Sequence, residues 1–298
     1  VATGSFQRQP GRTVTAVALA RRAVAGRVAT GSLPSGLAVT PDGATVLVAN
    51  QGNDTLSLVS ARTGAVRRTV AVGLAPVAVA VAPGGTTAVV ADSGDDRATL
   101  VDLRTGRVTA SVPVGQAPSA VAVAPGGTGG AGVALVADYG SDDVTPIDLG
   151  THTPGRAIPV GTGPDALALA GGQAGAPALA LVANFTSGSL TPITLATLAP
   201  GAPVGVAVSP TGLVVSPDGG TAWVTGGASL TPVSVAFLRA GTPLALPGPA
   251  QGVALAPGGA VAWVAEQGGW LQPVALPSGA LGRGVRVGGI PSAVVITP

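Results

Sequence analysis

Apolar runs of five to eight residues recur along the whole chain, each closed by a polar or turn-forming group. Residues 36–73 read GLAVTPDGATVLVANQGNDTLSLVSARTGAVRRTVAVG, and residues 78–115 repeat them as AVAVAPGGTTAVVADSGDDRATLVDLRTGRVTASVPVG. Each unit holds four such runs; in the first they are GLAVT, TVLVAN, TLSLVS and AVRRTVAV. Runs of this length, rich in Val and Thr and bounded by turn residues, predict short strands rather than helices. Pro-Asp-Gly at 41–43 and 217–219 and Pro-Gly-Gly at 83–85, 125–127 and 257–259 follow the first strand. Pro presets one dihedral and Gly supplies positive φ, so these are hairpin turns. Thr-Gly at 63–64 and 105–106 marks the turn between the third and fourth strands.

The glycines that precede each new unit are Gly31, Gly73, Gly115, Gly161, Gly205, Gly248 and Gly288, spaced by 42, 42, 46, 44, 43 and 40 residues. What remains, 288–298 plus 1–30, is 41 residues and makes one more unit. Four-stranded units of this period describe a β-propeller. The expectation is an all-β chain, a seven-bladed β-propeller of four-stranded antiparallel blades, with the last blade shared by the two termini. It is a single domain over 1–298, with blades at 31–72, 73–114, 115–160, 161–204, 205–247, 248–287 and 288–298 plus 1–30. SAVVIT at 292–297 supplies the shared blade's innermost strand and VATG at 1–4 its second, which closes the ring without open edges. Pro146, Pro192, Pro232 and Pro273 fall within the third strand of four consecutive units. Pro removes a ladder donor, so a bulge or a local break in pairing is expected at each.

The segments VLVANQGNDTLSLVSARTG and LVADYGSDDVTPIDLGTHTPGRAIPVG resemble the YVTN, or YncE-like, seven-bladed propeller repeat family, especially its bacterial secreted members. The resemblance runs over essentially the whole chain. It implies the fold and leaves the activity open, because fold alone does not assign function.

Composition sharpens the picture. Hydrophobic residues are 46% of the chain and aromatics 2%, so the core is built of Val, Ala and Leu. With no Cys, neither disulfides nor Cys-ligated zinc or iron–sulfur sites can form. All 15 basic residues are Arg, a usage typical of a GC-rich genome. Net charge is only +2, a weak footprint for nucleic acid. No apolar run is long enough for a membrane-spanning helix. The chain does not begin with Met, and the expectation is a processed product that is secreted or displayed at the cell surface.

In this scheme the fourth-to-first and second-to-third loops share one face, the top. Asp54, Asp92, Asp95, Asp96, Asp138, Asp142, Asp143 and Glu266 fall near the second-to-third loops, and Asp165 joins them from a fourth-to-first loop. Arg21, Arg22, Arg27, Arg62, Arg67, Arg68, Arg104, Arg107, Arg156, Arg239, Arg283 and Arg286 fall on the outer and lower surface. Both distributions also suit plain solubility. Two rings are in register at the top: Ser35, Val77, Ser119, Asp165, Thr211, Gln251 and Ser292 begin the first strands, and Thr3, Asn50, Asp92, Asp138, Asn184, Gly226 and Glu266 end the second. Tyr139 and Phe185 follow the second ring and could wall a mouth with convergent polar groups, the usual form of a ligand site. The ligand-binding candidates are Asn50, Asp92, Ser119, Asp138, Tyr139, Asp165, Asn184, Phe185, Gln251 and Glu266. The competing reading is that such Asn and Asp residues satisfy loop backbone as Asx-turns.

Catalytic constellations are thin. His152 is the only histidine and lies in a lower turn, so no Ser–His–Asp triad can form at the top. Asp92, Asp138, Asp142 and Asp143 could offer oxygens to calcium, but no EF-hand or related spacing is present. GTGPDA at 161–166 imitates part of a phosphate loop without a helix after it. The expected function is non-catalytic binding of a small molecule, glycan or protein on the top face, by a monomer without cofactor or metal. The enzyme alternative is a hydrolase, lactonase or lyase using carboxylates or a cation in the same mouth. A second alternative, implied by the family resemblance and the outer arginines, is nucleic-acid binding; the acidic top and scarce aromatics argue against it.

Overall fold

The computed structural model describes residues 11–126, 132–171, 178–206 and 209–297, and the backbone alone of 2–4. The side chain of Thr3 and the end of the 125–127 turn therefore lie outside the described residues. Six blades are contiguous stretches of chain, each opening with an inner strand: Pro34–Val39, Pro76–Val81, Pro118–Ala124, Pro164–Ala170, Pro210–Val215 and Ala250–Leu255. We number them blades 1 to 6. A further sheet is composite, ordered Ala23–Ala29, Thr13–Ala18, Ala2–Gly4 and Ile290–Ala293. Its two halves meet through the three-residue strand Ala2–Gly4, whose register slips against Ile290–Ala293.

The expectation of a seven-bladed propeller of four-stranded blades is thereby corrected: the structure has six blades beside the composite sheet. Only six blades are contiguous units, and only blades 1 and 2 among them carry a full outer strand, Val66–Ala71 and Arg107–Pro113. In blades 3, 4 and 5 the outer strand is split into two-residue pieces, and in blade 6 it is reduced to Val285–Arg286. The prolines explain this. Gly155, Gly201, Gly241 and Gly282 donate N–H bonds to the carbonyls of Pro146, Pro192, Pro232 and Pro273 at 2.7, 2.7, 2.7 and 2.9 Å. In an antiparallel pair a residue's N–H and C=O face the same neighbour. The donor that proline lacks is therefore the one owed to the outer strand. The ladder toward the second strand keeps its register through Leu135↔Pro146 and Leu181↔Pro192. At the matching positions of blades 1 and 2 stand Leu58 and Leu100, where the outer strand continues through a bulge.

Close approach at the axis is made possible by small residues. Gly36, Ala78, Ala120, Ala166, Gly212, Gly252 and Ala293 occupy one position of the inner strands. A Cβ on Gly36 would lie 2.6 Å from the Val77 carbonyl oxygen of the next blade. Between blades the core is layered. Clusters of buried Val, Leu and Ala fill the interfaces 1–2, 2–3, 3–4, 4–5, 5–6 and 6–composite. Between the composite sheet and blade 1 lies instead a cavity of about 400 Å³, lined by Val14, Val17, Val28, Leu37, Val48 and Ile296 among others.

Candidate functional site at the channel mouth

Among the described residues, those that end the second strands are buried: Asn50, Asp92, Asp138 and Asn184 are 0% exposed and Glu266 is 4%. All but Glu266 reach a hydroxyl on the third strand of their own blade, while Glu266 Oε1 is buried without a hydrogen-bond partner. Asn50 donates to Ser57 Oγ at 2.9 Å and Asn184 to Thr191 Oγ1 at 2.9 Å. Thr99 and Thr145 donate to Asp92 Oδ2 and Asp138 Oδ2, each at 2.6 Å. The other end of the side chain meets the loop that enters the blade: Gly31 N–H donates to Asn50 Oδ1 at 3.0 Å. In blade 3 the equivalent donor, Gly115 N–H, goes instead to Thr145 Oγ1 at 3.2 Å, and Asp92 Oδ1, Asp138 Oδ1 and Asn184 Oδ1 are buried without a hydrogen-bond partner. A Cβ on Gly31, Gly73, Gly115 or Gly161 would lie 2.5 to 2.7 Å from Asn50, Asp92, Asp138 or Asn184 respectively, too close to be tolerated. The arrangement is a latch, repeated from blade to blade, that ties the loop to the hairpin.

Burial pushes the pKa of Asp92 up to about 7, against the opposing hydrogen bond from Thr99. Asp138 is pushed up to about 7 for the same reason, with Thr145 opposing and nearby Asp143 adding. A neutral carboxylic acid has the shape and polarity of the asparagine side chain, so the two aspartates occupy the role of Asn50 and Asn184. Burial also raises Glu266. In blade 5 Gly226 leaves the latch incomplete: Thr231 Oγ1 is buried without a partner, and nothing lies within 4 Å of a Cβ built on Gly205.

Asp54, Asp96 and Asp142 do a different task. Each adopts left-handed backbone, with φ of 55, 56 and 58°, which Asp tolerates better than most residues. Each Oδ1 accepts an N–H from the loop leading into the next blade, from Ala75, Ala117 and Gly163, at 2.8 Å in every case. They are clasps between consecutive blades. The convergence expected of the upper carboxylates is therefore corrected: Asp92 and Asp138 are absorbed into separate blades, and among the described residues no group of three or more His, Asp or Glu could hold a metal. The third-strand hydroxyls Ser57, Thr99, Thr145 and Thr191 were not among the sequence candidates. Their signal is a hydroxyl seven residues after each Asn or Asp.

The first ring binds blade to blade. Ser35, Ser119, Thr211 and Ser292 donate to the carbonyls of Pro76, Pro164, Ala250 and Ser35 at 3.0, 2.6, 2.9 and 3.2 Å. Val77, Asp165 and Gln251 stand at the intervening positions. Asp165 is partly exposed, and its pKa is raised to about 6 by burial alone, with no hydrogen bond or neighbouring charge to offset it. Two aromatics meet its loop. The Tyr139 ring lies 3.2 Å from a Cβ built on Gly163, two residues before Asp165, and Phe185 N–H donates to the Gly163 carbonyl at 2.7 Å. Tyr139 is 37% exposed and Phe185 half-buried. Gln251 bonds only weakly, to the neighbouring Ala250 carbonyl at 3.4 Å. His152 sits exposed in its lower turn, and GTGPDA forms a loop and the start of a strand.

The family description "YNCE-like beta-propeller" matches residues 8–103. No curated protein matches the chain. Among solved structures, Kuenenia stuttgartiensis hydrazine synthase aligns with a TM-score of 0.77 at 22% identity, over 89% of this chain and 90% of that one. A functionally unknown protein from Desulfotomaculum acetoxidans DSM 771 aligns with a TM-score of 0.77 at 17% identity, over 94% and 93%. At these identities the likeness is one of fold. The chain as a whole is therefore a β-propeller, and the likeness to the YNCE-like family is carried by residues 8–103 alone.

Proposed function

We infer that this propeller is a non-catalytic binding protein, secreted or cell-surface, whose ligand meets the upper channel mouth at Asp165. The observation that carries the reading is the condition of that carboxylate. It is partly buried and unpaired, on a ring whose hydroxyls are spent holding blades together. A desolvated carboxylate without a partner is costly to keep. A bound cation or hydroxyl donor would offset that cost. Tyr139 and Phe185 beside its loop add faces for stacking on a sugar ring or cation. The ligand class is cationic or polyhydroxylated.

Screening polyamines, basic peptides and neutral glycans tests this. Asp165→Asn is expected to weaken binding at least about tenfold, while Asp138→Asn leaves it unchanged because Asp138 serves the latch. Affinity for a polyamine is expected to rise as pH increases through about 6, where Asp165 ionises. Binding indifferent to Asp165→Asn would refute the placement.

A further inference from the structure

A second surface carries the opposite charge. Arg21, Arg22 and Arg27 of the composite sheet, Arg62, Arg67 and Arg68 of blade 1, and Arg104 and Arg107 of blade 2 are all exposed. These three sheets are consecutive, and their outer parts touch. Val28 lies 3.1 Å from a Cβ built on Gly64, and Arg68 Nη1 donates to the Thr105 carbonyl of blade 2. Between blades 1 and 2 opens a cleft of about 330 Å³, lined by Thr40, Asp42, Thr45, Thr86 and Arg104 among others. The two carboxylates in this region, Asp42 and Asp102, are occupied by their own turns. Asp42 accepts from Thr40 and from Ala44 N–H, and Asp102 from Thr105 N–H. Blade 4, by contrast, carries no arginine.

We propose that this flank binds an acidic polysaccharide, a chain bearing carboxylate or sulfate groups, laid across the composite sheet and blades 1 and 2 with one sugar in the cleft. Guanidinium groups match carboxylate and sulfate oxygens with paired hydrogen bonds. The arginines cross three sheets, which suits a repeating polymer, whereas a peptide adding to a strand edge would follow one sheet. Residues 11–29, 55–71 and 97–113 contain no Phe, Tyr or Trp. The flank therefore lacks the aromatic platform on which single-stranded nucleic acid stacks. Thr45 and Thr86 in the cleft offer hydroxyl partners to a sugar.

The test uses polygalacturonate and dextran sulfate as probes, neutral dextran as control, and a single-stranded oligonucleotide and polyglutamate as competitors. The full chain is expected to bind at least one acidic polysaccharide, to release it as salt rises, and to ignore neutral dextran. Arg62, Arg67, Arg104 and Arg107 changed together to Gln should weaken binding at least about tenfold. Changing Arg156 and Arg239 to Gln should leave it unaltered. Should the first variant misfold, the same four positions changed to Lys keep the charge and are expected to retain binding. Failure of the parent to bind either probe, equal loss in both Gln variants, or displacement at lower concentration by the oligonucleotide or polyglutamate would overturn the proposal. Each readout is independent of Asp165.

Discussion

At the scale of single residues, the upper face turns on the difference between a carboxylate that is spent and one that is not. Asp92 and Asp138 hold their protons to about pH 7, whereas the unfolded chain releases them near the ordinary value of 3.8. The folded state therefore binds more protons between those limits, and stability falls as pH rises from about 4 to about 7, then levels off. The loss is on the order of several kcal/mol for the pair. On the acid side, Asp42, Asp102, Asp148 and Asp218 are held below the ordinary value, mainly by hydrogen bonds in their own turns. Their contribution is lost as pH falls below about 4, so the maximum lies near that pH. Urea midpoints measured from pH 3 to 9 are expected to trace this curve, and Asp92→Asn with Asp138→Asn should remove most of the decline. A double variant that declines as steeply as the parent would show that these acids ionise freely. Register alone places Asn50, Asp92, Asp138 and Asn184 as equivalents, and the structure agrees. Their chemistry was hidden because each partner is a hydroxyl on a different strand, and burial is a property of the closed blade rather than of the motif.

At the scale of the strand, the chain has two ways of finishing a blade. The composite sheet and blades 1 and 2 present regular outer strands that carry arginine, a charge that discourages edge-to-edge pairing. Blades 3 to 6 break the edge with proline and leave little ladder to extend. The break was foreseeable from Pro146, Pro192, Pro232 and Pro273 in register, because the missing donor is written in the sequence. Which side it faces was not, since that depends on the strand's rotation within the sheet. Its companion is legible only afterwards: a glycine nine residues beyond each proline, whose added Cβ would stand 3.0 to 3.2 Å from the proline ring. Gly201→Val is therefore expected to destabilise blade 4 by about 1–3 kcal/mol, read as a lower melting temperature. Substitution of exposed Gly171, which has nothing within 4 Å of its Cβ position, should cost less. Equal effects at the two sites would remove the proline contact as the cause.

At the scale of the whole molecule, the repeat arithmetic located the composite sheet but could not weigh its seam. Six interfaces are filled by clusters of buried aliphatic side chains, while the junction of the composite sheet with blade 1 holds a cavity of about 400 Å³. Packing defects of this kind cost stability in proportion to the contacts forgone. Spacing between glycines carries no information about volume, which is why the sequence was silent here. The seam is held instead by short pieces: Ile290–Ala293 pairs with Ala2–Gly4, Ser292 Oγ donates to the Ser35 carbonyl at 3.2 Å, and Arg27 reaches the Val287 carbonyl at 3.2 Å. Removing residues 289–298 deletes the inner strand, leaves Ala2–Gly4 with an open edge, and exposes the faces of Pro34–Val39 and Ala250–Leu255 that it covered. The expected outcome is insolubility or a large fall in melting temperature. A synthetic peptide of residues 289–298 added during refolding should restore part of the loss, because strand, cavity wall and hydroxyl bond return together. A truncated chain that melts with the parent would mean that the ring does not depend on this strand for its closure.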